Sequence, residues 1–209
     1  MTAIRGLLST MEDPFNLFPL QTVSAQLSKL VDRSESALAD RAGWYGVSSK
    51  YRSIEDEHDL EVVQLLAGAA FVLGQAAIVE AISIATKIRE LAGDPPWLPR
   101  DKSGLMRTAA SIHAVTRESK ITLINAIANY FKHHYEWPAT WTGAPPRQQR
   151  TIDIVRKFGF SPQYEDNIEI ALRGFGLAVN DLQPLATTVQ SWREGLAEFI
   201  RTRLGAERV

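Results

Sequence analysis

The chain has 209 residues, 45% of them apolar and 22% charged, a globular composition with ample length for a full hydrophobic core. Its 23 basic and 24 acidic residues leave a net charge of −1, so no global field recruits a polyanion and broad affinity for duplex DNA is not expected. Cysteine is absent, which excludes disulfides, thiolate metal sites and a cysteine nucleophile, and fits a reducing, cytoplasmic setting.

The N-terminus, MTAIRGLLSTMEDPF, has no secretory apolar core because Glu12 and Asp13 interrupt it early. Strand signals are nearly absent, and helical periodicity recurs throughout. A first helix is expected from about Gln21 to Ala42, with Val23, Leu27, Leu30, Val31 and Leu38 spaced for one face. A loop rich in Gly and Ser follows, and Ser53 with Asp56 reads as a capping box. The acidic run Glu55, Asp56, Glu57 and Asp59 then lies where a helix dipole favours negative charge. That placement explains the carboxylates around His58 without a metal.

From Val62 to Val79 the chain runs 18 residues without a charge, close to the lower limit for a membrane span. Gln64, Gln75 and the helical continuation into Glu80 and Lys87 favour a central helix packed on all sides, so no membrane is expected. The helix is stopped near Leu91 by Gly93-Asp94-Pro95-Pro96, and the proline-rich PPWLPR acts as a rigid connector. A short helix from about Ser103 to Ile112 carries His113 at its end, a lone histidine with no evident partner. Thr116 is placed to cap the next helix, which ends near Trp137-Pro138. VRKFGF and LRGFGL each close a short amphipathic helix with Arg, Phe and Gly, the pattern of similar glycine C-caps. A last helix from about Asn180 to Leu204 puts Leu182, Leu185, Val189, Trp192, Leu196 and Phe199 on one face. The expected fold is a single all-α domain, a bundle of six to seven helices around one long central helix.

The segment NAIANYFKHHYEWP, residues 125 to 138, holds two of the four histidines side by side. At 100° per residue, Glu118, Thr122, Asn125, Asn129, Lys132, His133 and Glu136 fall on one polar arc. Leu123, Ile124, Ile127, Tyr130, Phe131 and His134 fall opposite, so His134 reads as a hydrogen-bonded core residue and His133 as part of the polar stripe. Asparagine is a mediocre helix former, and two of them four apart in mid-helix suit a solvated face less well than Glu or Lys would. The stripe ends in Tyr135, Trp137 and Trp141, more aromatic surface than a plain exposed face needs.

AIANYFKHHYEW resembles the signature of HEPN domains, all-α nucleotide-binding and ribonuclease domains of prokaryotic toxin and defence systems. That motif is an arginine, commonly followed by a polar residue, with a histidine four to six residues after the arginine and, in one branch, a tyrosine two residues beyond the histidine. Matched on His133, the polar residue is Asn129 and the tyrosine is Tyr135, while Ala128 stands where the family has arginine. The resemblance implies a HEPN-like core over about residues 54–140 with C-terminal helices 146–204 packed on it.

The resemblance also implies an RNA- or nucleotide-interacting protein. It would be a metal-independent ribonuclease or a catalytically degraded relative, working without a cofactor or a bound metal. His133, Lys132 and Asn129 are the candidate catalytic residues, with Asn125, Tyr135 and Glu136 as binding residues. Histidine titrates near neutrality and suits proton transfer. A fixed cation is needed for phosphate charge, and Arg147 or Arg150 beyond the loop are candidates to supply it. Implied partners are RNA or a nucleotide, a second copy forming a homodimer with motif helices facing, and a protein partner such as an antitoxin. The competing expectation is a non-enzymatic all-α scaffold or protein-interaction module.

Overall fold

A computed structural model describes residues 2–29, 32, 54–162, 167–178 and 181–206. All regular structure among these residues is helical; two isolated bridges, Ile112 with Ser119 and Ala178 with Asp181, are the only extended pairings. The helices in chain order are α1 (Thr2–Glu12), α2 (18–29), α3 (Ile54–Leu91), α4 (Lys102–Arg107), α5 (Lys120–His133), α6 (Pro146–Phe158), α7 (Asn167–Phe175) and α8 (Gln183–Ala206). The expected loop after Ala42, the Ser53–Asp56 capping box and the acidic run around His58 lie outside the described residues and side chains.

Helix α3 is the axis of the bundle, in contact with α1, α4, α5, α7 and α8. Its Leu65–Leu91 stretch is long and apolar enough to cross a membrane by length and composition, and half of its most apolar window is buried among the other helices. Ala67, Ala70, Phe71, Ala77, Ile78, Ala81, Ala85 and Ile88 form the buried face. Small residues let α5 come close: a Cβ on Gly68 would sit 3.2 Å from the Phe131 ring. Among the described residues, however, the helix is not packed on all sides. Leu65, Ala76, Val79, Ser83, Lys87 and Glu90 form an exposed stripe, because the described neighbours do not surround it.

Local signals account for most ends. Asp13 Oδ1 accepts from Phe15 N at 2.9 Å and starts the 3-10 turn Pro14–Leu17 that leads into α2, which therefore begins before Gln21. Asp101 caps α4 through Gly104 N at 2.8 Å. That helix ends at Arg107 rather than near Ile112, because Thr108 turns to extended backbone and Ala109 takes a positive φ of 57°. Thr116 does not cap α5. Arg117 adopts φ 61°, which separates Thr116 from the helix, and Ser119 Oγ accepts from Thr122 N at 3.0 Å instead. His113 has partners after all: Thr116 Oγ at 3.1 Å and the Gly174 carbonyl at 3.0 Å, with its ring against Phe158.

The echoed C-termini of α6 and α7 share one geometry. Gly159 and Gly176 have φ of 109° and 65°, and Phe160 N and Leu177 N reach back to the carbonyls of Val155 and Leu172 at 2.9 and 2.8 Å. This is the glycine cap with a six-to-one bond, and it leaves Phe160 and Leu177 buried. In α8, Leu182 at its approach and Leu185, Val189, Trp192 and Leu196 within it are buried, and Phe199 is half-buried.

Candidate functional site

The helical arc of α5 separates the two histidines as its geometry requires. His134 is half-buried, its Nδ1–H donating to the Tyr130 carbonyl at 3.1 Å and its ring 4.9 Å from that of Tyr130. His133 is exposed at the end of α5 and donates from Nδ1 to Glu136 Oε1 at 3.1 Å. A carboxylate only accepts, so this bond fixes the proton of neutral imidazole on Nδ1 and leaves Nε2 as the acceptor.

His133 opens onto a cleft of about 280 Å³ between the end of α5 and the start of α6, lined by Asn129, His133, Glu136, Trp137, Arg147, Gln148 and Thr151. Helix α6 starts at Pro146, a residue suited to a first helical position, and no side chain caps its first turn. Arg147, Gln148 and Thr151 face the cleft from that turn and the next. The cleft is thus built within one chain, with the arginine on a different helix from the histidine. Arg150, the other candidate cation, turns away and donates to Ser103 Oγ at 3.0 Å, beside Arg107 at 2.6 Å.

Ala128 is fully buried among α5's packed neighbours. It lies five residues before His133, about 140° away around the helix. An arginine there would be in the core and would not reach the cleft. The arginine that lines the cleft, Arg147, comes from α6.

Behind the cleft, the amide stripe is engaged by α3. Gln75, buried in the apolar run, donates from Nε2 to Asn125 Oδ1 at 3.0 Å and to Asn129 Oδ1 at 2.9 Å. Its Oε1 accepts from Lys132 Nζ at 2.5 Å. Lys102, from α4, donates to Asn125 Oδ1 at 2.8 Å. Partial desolvation of the Lys102 ammonium, and the nearby charges of Lys132 and Arg147, hold it below the ordinary lysine value. Lys102 and Lys132 are thus joined through Asn125 and Gln75 beside the cleft, and Arg147 lines it.

Of the six candidate residues, Asn129, His133 and Glu136 line the cleft together. Asn125 and Lys132 stand beside it in the Gln75 network. Tyr135 does not join them: its side chain projects into solvent, edge-on to the His134 ring. The expected aromatic surface also resolves differently. Trp137 and Trp141 are buried, packed with Phe160 around Tyr130, whose hydroxyl accepts from the fully buried Asn167 at 2.7 Å. These rings are core, and Trp137 forms one wall of the cleft.

Gln75, Lys102 and Gln148 escaped the sequence reading. Gln75 had a signal, since an amide inside an apolar run needs buried partners. Gln148 Oε1 is buried with no hydrogen-bond partner, which no local pattern announces. Compared with family models, curated proteins and solved structures, the chain matches none.

Proposed function

We propose that this chain is a HEPN-like RNA- or nucleotide-interacting protein whose site is the α5–α6 cleft. One observation carries the reading: His133 and Arg147 line the same cleft from different helices, together with Asn129, which the Gln75 network holds. Histidine with a free Nε2 supplies an acid or base, and arginine supplies a planar cation matched to phosphate oxygens. The position of Arg147 offsets the apolar Ala128 in the motif. Asn129 Oδ1 is occupied by Gln75, and Lys132 gives it one of three ammonium donors, so proton transfer would fall to His133. That engagement also favours a second reading, in which the cleft binds without cleaving.

Incubating the purified chain with mixed RNA separates the two. An active ribonuclease loses cleavage in His133→Ala and falls about a hundredfold in Arg147→Ala. Binding that depends on Arg147 without any cleavage identifies the degraded form. If neither cleavage nor Arg147-dependent binding occurs, the nucleotide reading is wrong and the scaffold reading remains.

A further inference from the structure

We infer that Lys102, Lys132 and Arg147 form a subsite for a terminal phosphate monoester, so that the nucleotide or RNA entering the cleft is held by a phosphorylated end. This rests on the nucleotide reading above and specifies which phosphate the site takes.

The inference starts from how these cations are partnered. Lys132 Nζ meets the Gln75 carbonyl oxygen and Lys102 Nζ meets the Asn125 carbonyl oxygen, both neutral acceptors. Among the described residues, none of the three cations has a carboxylate within ion-pair distance. The fully buried Arg193 and the half-buried Arg89 are by contrast paired, with Glu80 and Asp94. The carboxylate that lines the cleft, Glu136, is committed to His133.

Three helices thus bring positive charge to the cleft and its border. Arg147 lines it, and Lys102 and Lys132 meet beside it through Asn125 and Gln75, which also bonds the cleft residue Asn129. No described carboxylate pairs with any of the three. The mutual repulsion is felt, since Lys102 is held below the ordinary lysine value in part by the other two. A ligand that supplies the missing charge is favoured in proportion to that charge. An internal phosphodiester carries one negative charge and two free oxygens. A terminal monoester carries about −1.5 to −2 and three acceptor oxygens near neutral pH. The monoester therefore matches both the number and the convergence of the cations, and the cleft of about 280 Å³ is sized for a single small group and not for a duplex.

Three RNA oligonucleotides of one sequence test the inference by isothermal titration with the full chain: 5′-phosphorylated, 3′-phosphorylated and without a terminal phosphate. One phosphorylated end is expected to bind at least about tenfold more tightly than the unphosphorylated strand. Lys102→Gln keeps a donor for Asn125 Oδ1, so it should fold normally. It should abolish most of that preference, weakening the phosphorylated strand's binding more than the unphosphorylated strand's. Equal binding of all three strands overturns the monoester inference and leaves the nucleotide reading standing. A preference that Lys102→Gln and Lys132→Gln both leave intact also overturns it, because the phosphate is then held elsewhere. If no strand binds, both fall.

Discussion

Gln75 and Gln148 are two amides beside the same cleft with opposite hydrogen-bonding states. Every polar atom of the Gln75 amide is used: Nε2 serves Asn125 and Asn129, and Oε1 receives Lys132. Gln148 Oε1 is buried and unpaired. A buried polar group without a partner costs the folded state about 1–3 kcal/mol. Replacing Gln75 with Leu should therefore destabilise the chain by about 2 kcal/mol, leaving Asn129 Oδ1 without its donor. Gln148→Met removes an acceptor that has nothing to lose, and its stability should be unchanged or higher by about 1 kcal/mol. Urea unfolding of the two variants checks the contrast; equal losses would mean that Gln148 has a structural bond. Lys102 adds a pH signature. Its folded pKa lies below that of the unfolded chain, so the unfolded state binds more protons in the window between the two values. The cost of charging Lys102 is fully present below the folded pKa and fades as pH rises through it. Stability should accordingly carry a rising contribution in the alkaline range that Lys102→Met removes. An anion in the cluster should raise the Lys102 pKa toward normal, as followed by NMR titration of its side chain.

At the scale of the element, helix ends are set by single conformations that a side chain either tolerates or does not. Gly159 and Gly176 occupy left-handed caps at φ 109° and 65°, and Gly174 lies inside the last turn of α7. A Cβ at Gly174 would come within 2.2 Å of the Phe158 ring, whereas Gly176 has open space around it. Gly176→Ala should cost about 1–2 kcal/mol through backbone strain alone. Gly174→Ala should cost about 1–3 kcal/mol by displacing Phe158, and unlike Gly176→Ala it should disturb the ring contacts of Phe158 with His113 and Phe175. Aromatic NMR shifts distinguish the two routes. The same elements show what periodicity can and cannot reveal. Steps of 100° place Tyr130 and Ile127 in the core and Asn129 and His133 at the cleft, because facing is a property of one helix. The cap of α5 was missed because it depends on the conformation of Arg117, for which Thr116 and Ser119 offer equivalent hydroxyls. Partners from α3, α4 and α6 were less legible still. Gln75, Lys102 and Gln148 reach the site only through the packing of separate helices, which no local spacing encodes, and Arg147 could be named beforehand only as one of two nearby cations.

At the scale of the whole molecule, one set of ion pairs joins separate helices, Arg193 with Glu80 and Arg201 with Glu12. Arg193 is the most deeply placed of the paired ones. Its neighbours in sequence, Trp192 and Glu194, make it read as the edge of an amphipathic face, yet it is fully buried. Nε donates to the Met11 carbonyl at 2.8 Å and Nη2 to the Thr10 carbonyl at 3.3 Å, while Nη1 meets Glu80 Oε2 at 3.1 Å. Thr10 and Met11 lie in the last turn of α1, where carbonyls have no intrahelical partner. One guanidinium therefore ties α1 to α8 and α3, and its fork geometry is what lets it reach three directions at once. Glu80 is partly exposed, so losing the carboxylate and losing the arginine are unequal changes. Arg193→Met strands the Met11 carbonyl and leaves Glu80 without its cation, while the Thr10 carbonyl keeps Asn16 Nδ2 at 3.0 Å, and should cost about 3 kcal/mol. Arg193→Lys keeps the charge but not the fork, and should fall between Met and the wild type. Glu80→Gln leaves a neutral acceptor and all of the backbone bonds, and should cost about 1 kcal/mol. Hydrogen exchange locates the effect: in Arg193→Met the amides of α1 should lose protection before those of α5. Uniform loss across both helices would show that Arg193 supports the core as a whole and not the docking of α1.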